Sequence, residues 1–186
     1  MKYTGKGGFF MRKNRFNRID TVTVTVAAML TAISIVIGIF CKNFLNFGGG
    51  LFRVTFENLP IILSGIMYGP VVGGMVGVAT DIVSYLLSSQ VYPPNLVVTL
   101  GCAAVGIVSG VVSRYVVKTP GVRQIIVSGA LAHVAGSMII KTIGLYTFYG
   151  VYVLVRIPLY LIIASIEIAI ICLLYKNSNF RRLWKM

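Results

Sequence analysis

Apolar residues gather along this chain in six long runs, each ended by a short polar, glycine-rich or proline-rich break. The runs cover residues 19–41, 56–68, 71–87, 96–117, 124–146 and 152–175. Crossing about 30 Å of hydrocarbon takes roughly 20 apolar residues in an α-helix, so most of these runs predict transmembrane helices. The run 56–68 is too short to cross without its flanks. Asp20, Thr21 and Thr23 offer capping groups where the first helix begins. Gly48, Gly49 and Gly50 cannot make a good helix interior, which predicts a flexible loop over residues 42–55. Gly69-Pro70 breaks the chain into a tight hairpin, Pro93-Pro94 sets a rigid corner, and Pro120-Gly121 marks a third turn. The pattern predicts an all-α membrane protein, a bundle of six transmembrane helices forming one integral membrane domain over residues 1–186.

Composition agrees and then refines the picture. Hydrophobic residues make up 57% of the 186 residues, charged residues only 11%, and the mean hydropathy is +0.89. A soluble domain carries about 25% charged residues. The net charge of +13 suggests nucleic acid until the positions are read. Lys2, Lys6, Arg12, Lys13, Arg15 and Arg18 precede the first run. Arg114, Lys118 and Arg123 fall near one break, and Lys176, Arg181, Arg182 and Lys185 follow the last run. Basic residues retained on the cytoplasmic side explain this distribution. It puts both termini inside, with basic tails at residues 1–18 and 177–186. The basic start followed by an apolar run resembles a signal peptide, but the run is long and lacks an A-x-A cleavage site, so it is expected to stay attached. Cys41, Cys102 and Cys172 have neither metal-ligand nor disulfide spacing and read as small buried hydrophobes.

The remaining charges carry the chemistry. A charged side chain in hydrocarbon costs about 2.5–3.5 kcal/mol on insertion scales and persists where it is paired, hydrated or needed. Counting 1.5 Å per residue, Arg53, Glu57, Asp81, Lys141 and Arg156 all fall in the outer half of the slab. They are expected to converge on one polar, outward-facing site for a small molecule. Structural ion pairing is the competing reading, above all for Glu57, with Arg53 one helical turn away. Three cations against two acids suit a carboxylate-bearing ligand. Tyr92 and Asn95, both in the 88–95 break, are candidates for stacking and hydrogen bonding. His133 and Glu167 lie nearer the midplane; His133 reads as a hydrogen-bonded packing residue, and Glu167 has no assigned role.

Small residues recur at four-residue spacing. Gly65, Gly69, Gly73 and Gly77 do so across the hairpin, Gly106 and Gly110 in the fourth run, and Ala28 and Ala32 in the first. Such spacing lets helix backbones approach closely, within this bundle or, for the alanines, against a second membrane protein. The sequence GPVVGGMVG is not a phosphate loop: no strand precedes it and no Gly-Lys-Ser/Thr comes after it. Nothing resembling a nucleotide-binding, metalloprotease or nucleophile-elbow motif is present, so no catalytic residue, metal or cofactor is expected.

Arg53-Val54-Thr55-Phe56-Glu57-Asn58-Leu59-Pro60, Gly69-Pro70-x-x-Gly73 and Asp81, set in six short runs, resemble the substrate-binding S components of energy-coupling factor (ECF) vitamin transporters. The similarity covers essentially the whole chain. Asn95 to Gly101, Ala132-His133 through Lys141 to Tyr146, and Arg156-Ile157-Pro158 are most similar to the folate-specific, FolT-type branch. The resemblance implies a plasma-membrane subunit that captures a vitamin, as substrate rather than cofactor, from outside with high affinity. It implies assembly with the transmembrane coupling protein EcfT and two ABC-type ATPases, whose ATP hydrolysis topples the subunit so that its pocket opens inward. Asn46 and Gly48 to Gly50 would form the gate, and Ala28 and Ala32 the docking face. Other readings are an S component for another vitamin such as pantothenate or riboflavin, an intramembrane enzyme using Glu57, Asp81 and His133, and an autonomous carrier, for which internal repeats are lacking.

Overall fold

A computed structural model describes residues 20–47, 52–87 and 94–177. The first helix, α1 (Thr21–Phe44), is capped by the Asp20 carboxylate, which accepts from the Thr21 amide. It leads into a two-residue strand, β1 (Asn46–Phe47), paired antiparallel with β2 (Phe52–Arg53) in the register Asn46 to Arg53. This small ladder departs from the purely helical expectation. Helices α2 (Asn58–Tyr68) and α3 (Pro70–Leu86) meet at Gly69, whose φ of 97° is open to glycine but strained for other residues. Pro70 then occupies the first helical position, where its missing N–H costs nothing.

Helix α4 (Leu96–Val111) is capped by Asn95 and ends in a wide π-helical turn, Val112–Val116. From Val122 to Lys176 the chain is helical throughout. It runs through α5 (Val122–Ala132), a second π-helical segment (His133–Ile140), α6 (Lys141–Tyr149), a 3₁₀ turn (Gly150–Val155) and α7 (Arg156–Lys176). The turn at Gly150, with φ of 55°, folds α7 back along α5. The loop expected between the fifth and sixth runs is therefore a tight helical corner. Thr21–Phe44, Leu96–Val116 and Val122–Lys176 are long and apolar enough to cross a bilayer.

Helix α2 is the exception that explains its own shortness. Its 11 residues span about 16 Å, and Pro60 to Ile66 are buried on every side. A helix apolar all round belongs in an interior. Here α1, α3, α4, α5 and α7 enclose it, and Ile61, Ile62, Leu63 and Ile66 anchor the core with Val76, Val105, Ile125, Ala132 and Ile171.

The glycine rows place backbone directly on backbone. A Cβ at Gly65 or Gly73 would collide with the Gly106 carbonyl, one at Gly106 with the Gly73 carbonyl, and one at Gly110 with Gly69 and Pro70. The α2–α3 hairpin thus lies flat on α4, as the four-residue spacing predicts. Arg114 belongs to this contact rather than to a loop. Half-buried in the π-helical turn, its guanidinium donates to the Tyr68 carbonyl at the α2 C-terminus. That satisfies a carbonyl which α2 leaves without an intrahelical partner.

Gly106→Ala should destabilise the protein by about 1–3 kcal/mol through overpacking, lowering the thermal unfolding midpoint in detergent. Gly121→Ala, whose added Cβ meets nothing within 4 Å, should leave the midpoint unchanged.

Candidate functional site

Charged and polar side chains meet near the ends of α1 and α3 and the starts of α2, α4 and α6. Glu57 stands at the N-terminus of α2, and its backbone carbonyl accepts from Ser34 Oγ of α1 at 2.6 Å. Its carboxylate reaches two lysines: Oε1 is 3.6 Å from Lys141 Nζ, and Oε2 is 4.0 Å from Lys42 Nζ. Lys141 also donates to Asn58 Oδ1 at 3.0 Å, and Lys42 donates to Ser84 Oγ on α3. All three charged groups are withdrawn from solvent, at 2% exposure for Glu57, 4% for Lys42 and 5% for Lys141. An unpaired charge at that depth would cost several kcal/mol, so the pairing is a condition of the fold.

Local packing makes room for this cluster. A Cβ at Gly38 would come within 2.9 Å of Glu57 Oε2, and one at Gly101 would strike the Lys141 side chain. Asp81, half-buried on α3, accepts from Thr99 Oγ1 of α4 at 2.7 Å. Its carboxylate lies with that of Glu57 and the Cys102 thiol so that ligand atoms of all three fall within 4.8 Å of one another. Such a trio can hold a metal ion, but two ammonium groups already pair with Glu57 and weaken the attraction for a divalent cation.

The structure brings Glu57, Asp81 and Lys141 together, three of the five charges expected to converge. Arg156, buried at the first turn of α7, has its guanidinium 5.0 Å from the centroid of the Tyr149 ring, at the corner between α6 and α7. Arg53 lies in β2, opposite Asn46; the side chains of both, together with Gly48, Gly49, Gly50, Tyr92 and the tails 1–18 and 178–186, lie outside the described residues. Asn95 ties two helices. Its Oδ1 accepts from the Val97 amide at 2.9 Å, and its Nδ2 donates to the Gly144 carbonyl of α6 at 2.6 Å. Ala28 and Ala32 are exposed on α1. His133 and Glu167 form a separate pair, Nε2 to Oε2 at 2.7 Å, deep between α5 and α7.

Sequence reasoning misses Lys42, because the polar, glycine-rich stretch that begins there reads as a loop. The signal was present. Ser34, Gly38, Cys41 and Lys42 keep to the three- and four-residue spacing of one helix face, and all are buried. The cluster is also closed rather than an open vestibule. The groove of about 560 Å³ elsewhere on the molecule lies between the start of α5 and the end of α7, lined by Val122, Ala169, Cys172, Leu173, Tyr175 and Lys176.

Apolar helices, three of them long enough to cross a bilayer, enclose a charged cluster, as suits a membrane-embedded subunit. The sequence profile of the ECF transporter substrate-specific component family matches residues 22–185, and the chain belongs to that family. The family consists of transport subunits, not catalysts. The crystal structure of FolT bound with folic acid is similar over 89% of this chain and 98% of that one, with a TM-score of 0.65 and 23% identity; at that identity the likeness establishes the fold. An uncharacterised protein of Mycoplasma pneumoniae, the MG098 homolog, is 27% identical over 136 residues. The match takes in 67% of this chain but only 26% of that protein's length.

Glu57→Gln should strongly destabilise the protein, by about 3–5 kcal/mol, because Lys42 and Lys141 would lose their shared counter-ion. Thermal unfolding in detergent measures this; an unchanged midpoint would show that the pairing contributes nothing.

Proposed function

We propose that this chain is the vitamin-binding subunit of an ECF-type importer, with folate as its substrate. The observation that carries the reading is the cluster of Glu57, Asp81 and Lys141 at one end of a FolT-like bundle. Asp81 suits the amino and amide edge of a pterin. Lys141, Arg156 and Arg53 suit the glutamate carboxylates, which pair strongly with cations away from water. Tyr92 and Asn95 complete the set, stacking on the ring system and bonding its polar edge. Asn46 and Gly48 to Gly50 are proposed as the gate through which the ligand reaches the cluster.

The same reading fixes topology and partners. Six passes, with α2 crossing by the help of its extended flank, put both termini in the cytoplasm and the charged end of the bundle outside the plasma membrane. The basic residues before α1, around residues 114–123 and after α7 favour that orientation. Ala28 and Ala32, exposed one turn apart on α1, offer a flat face to EcfT, which with two ABC-type ATPases supplies the energy to topple the subunit.

Two measurements test this. Purified protein should bind folate far more tightly than riboflavin, thiamine or pantothenate in calorimetry. Lys141→Ala and Arg156→Ala should each weaken binding by about 1.5–3 kcal/mol, the contribution of a hydrogen bond to a charged group. Equal affinity for all four vitamins would overturn the substrate and leave the class standing. Replacing Ala28 and Ala32 with leucine should abolish co-purification with the ATPase-bearing complex while leaving folate binding intact.

A further inference from the structure

The helical stretch from Val122 to Tyr149 carries two chemistry-bearing side chains, His133 and Lys141, at either end of its π-helical segment. On an uninterrupted α-helix, residues eight apart lie only about 80° apart around the axis. Here they serve different neighbours. His133 turns to Glu167 on α7, and Lys141 turns to Glu57 and Asn58 at the start of α2. The change of direction is made by the wide turn. The Lys141 amide donates to the Gly136 carbonyl, an i to i−5 bond, and each residue so accommodated rotates the downstream helix by about 100° relative to α-helical spacing. The sequence HVAGSMII contains no proline, and π-helical turns are rare except where surrounding structure imposes them.

Two contacts bear on this segment. His133 and Glu167 are 1% and 0% exposed, and their 2.7 Å contact pins the first residue of the segment to α7. Gly136 lies against α4 so closely that a Cβ would meet the Gly101 carbonyl at 2.7 Å. Glu167 lies near enough to feel the charges of Lys141 and Glu57, but its close contact is with His133, at the start of the segment from which Lys141 springs. We infer that the His133–Glu167 pair is a positioning element for the binding site: it holds the π-helical register that aims Lys141 at Glu57 and Asn58. This rests on the proposed reading of Lys141 as a ligand-binding residue, but its geometry can be tested without any ligand.

The test uses the full chain in bilayer nanodiscs. Dicyclohexylcarbodiimide, which enters membranes, converts a carboxyl to an O-acylisourea that a contacting amine displaces, releasing dicyclohexylurea and leaving an amide one water lighter than the two side chains. Peptide mapping by mass spectrometry separates the Glu57–Lys141 amide from one to Lys42. His133→Leu with Glu167→Leu replaces the pair by apolar side chains, an exchange that buried ion pairs often tolerate. This variant should lose the amide product and bind folate about ten- to a hundredfold more weakly, the loss of one or two charge-assisted bonds. Deleting Ile139, exposed within the segment, removes the surplus residue. In the same double variant it should restore both the amide and the affinity, a rescue that a merely structural pair would not give. Wild-type cross-linking in the double variant, or no recovery on deletion, overturns the inference. If the double variant does not fold, the triple variant must fold and cross-link, or the inference fails. If the unsubstituted protein gives the Glu57–Lys141 amide but binds no folate, or if Lys141→Ala binds folate normally, the result counts against the proposed ligand reading alone.

Discussion

A carboxylate held between two ammonium groups away from water governs the rest of this molecule. Glu57 can be buried only because Lys42 and Lys141 face it, and those lysines come from the end of one helix and the start of another, about one hundred residues later in sequence. Closing the cluster therefore ties the end of α1 to the start of α2 and the start of α6. Ser34, Ser84, Asn58 and Thr99 supply the surrounding hydrogen bonds. In a low-dielectric bundle such a network is worth most when every member is satisfied.

Close packing makes that geometry possible. Without a hydrophobic difference between lipid and protein, helices associate through shape and hydrogen bonds. Glycines at 65, 73, 106 and 110 let α2, α3 and α4 touch backbone to backbone, and Gly38 and Gly101 leave space for the Glu57 and Lys141 side chains. The same residue type thus serves two ends, contact between helices at one end of the bundle and room for charge at the other.

Much of this could be read in the sequence, and the remainder has identifiable physical reasons. The Gly69-Pro70 hairpin and the glycine rows are local signals and appear where their spacing places them; the apolar runs are helical, the last two joined without a loop. Glu57, Asp81 and Lys141 stood out because charge is rare in an apolar run. Lys42 did not, since Asn43 and Asn46 beside it gave the segment the look of a loop while tertiary pairing kept it helical. Arg114 was grouped with the basic residues of a break, although a carbonyl from another helix holds it inside the bundle. The π-helical segments and the His133–Glu167 pair have no local signature. The first depends on contacts with α4 and α7, and the second joins residues 34 apart.

Backbone laid on backbone has a mechanical consequence. Where two helices meet through carbonyls and Cα atoms, there are no side-chain rotamers to switch, so the α2–α3–α4 block has one arrangement and resists sliding. Any rearrangement that admits or releases a guest must then occur around this rigid slab, in the strand ladder, the end of α1 and the corner at Gly150. The slab would be the frame that such a rearrangement leaves in place.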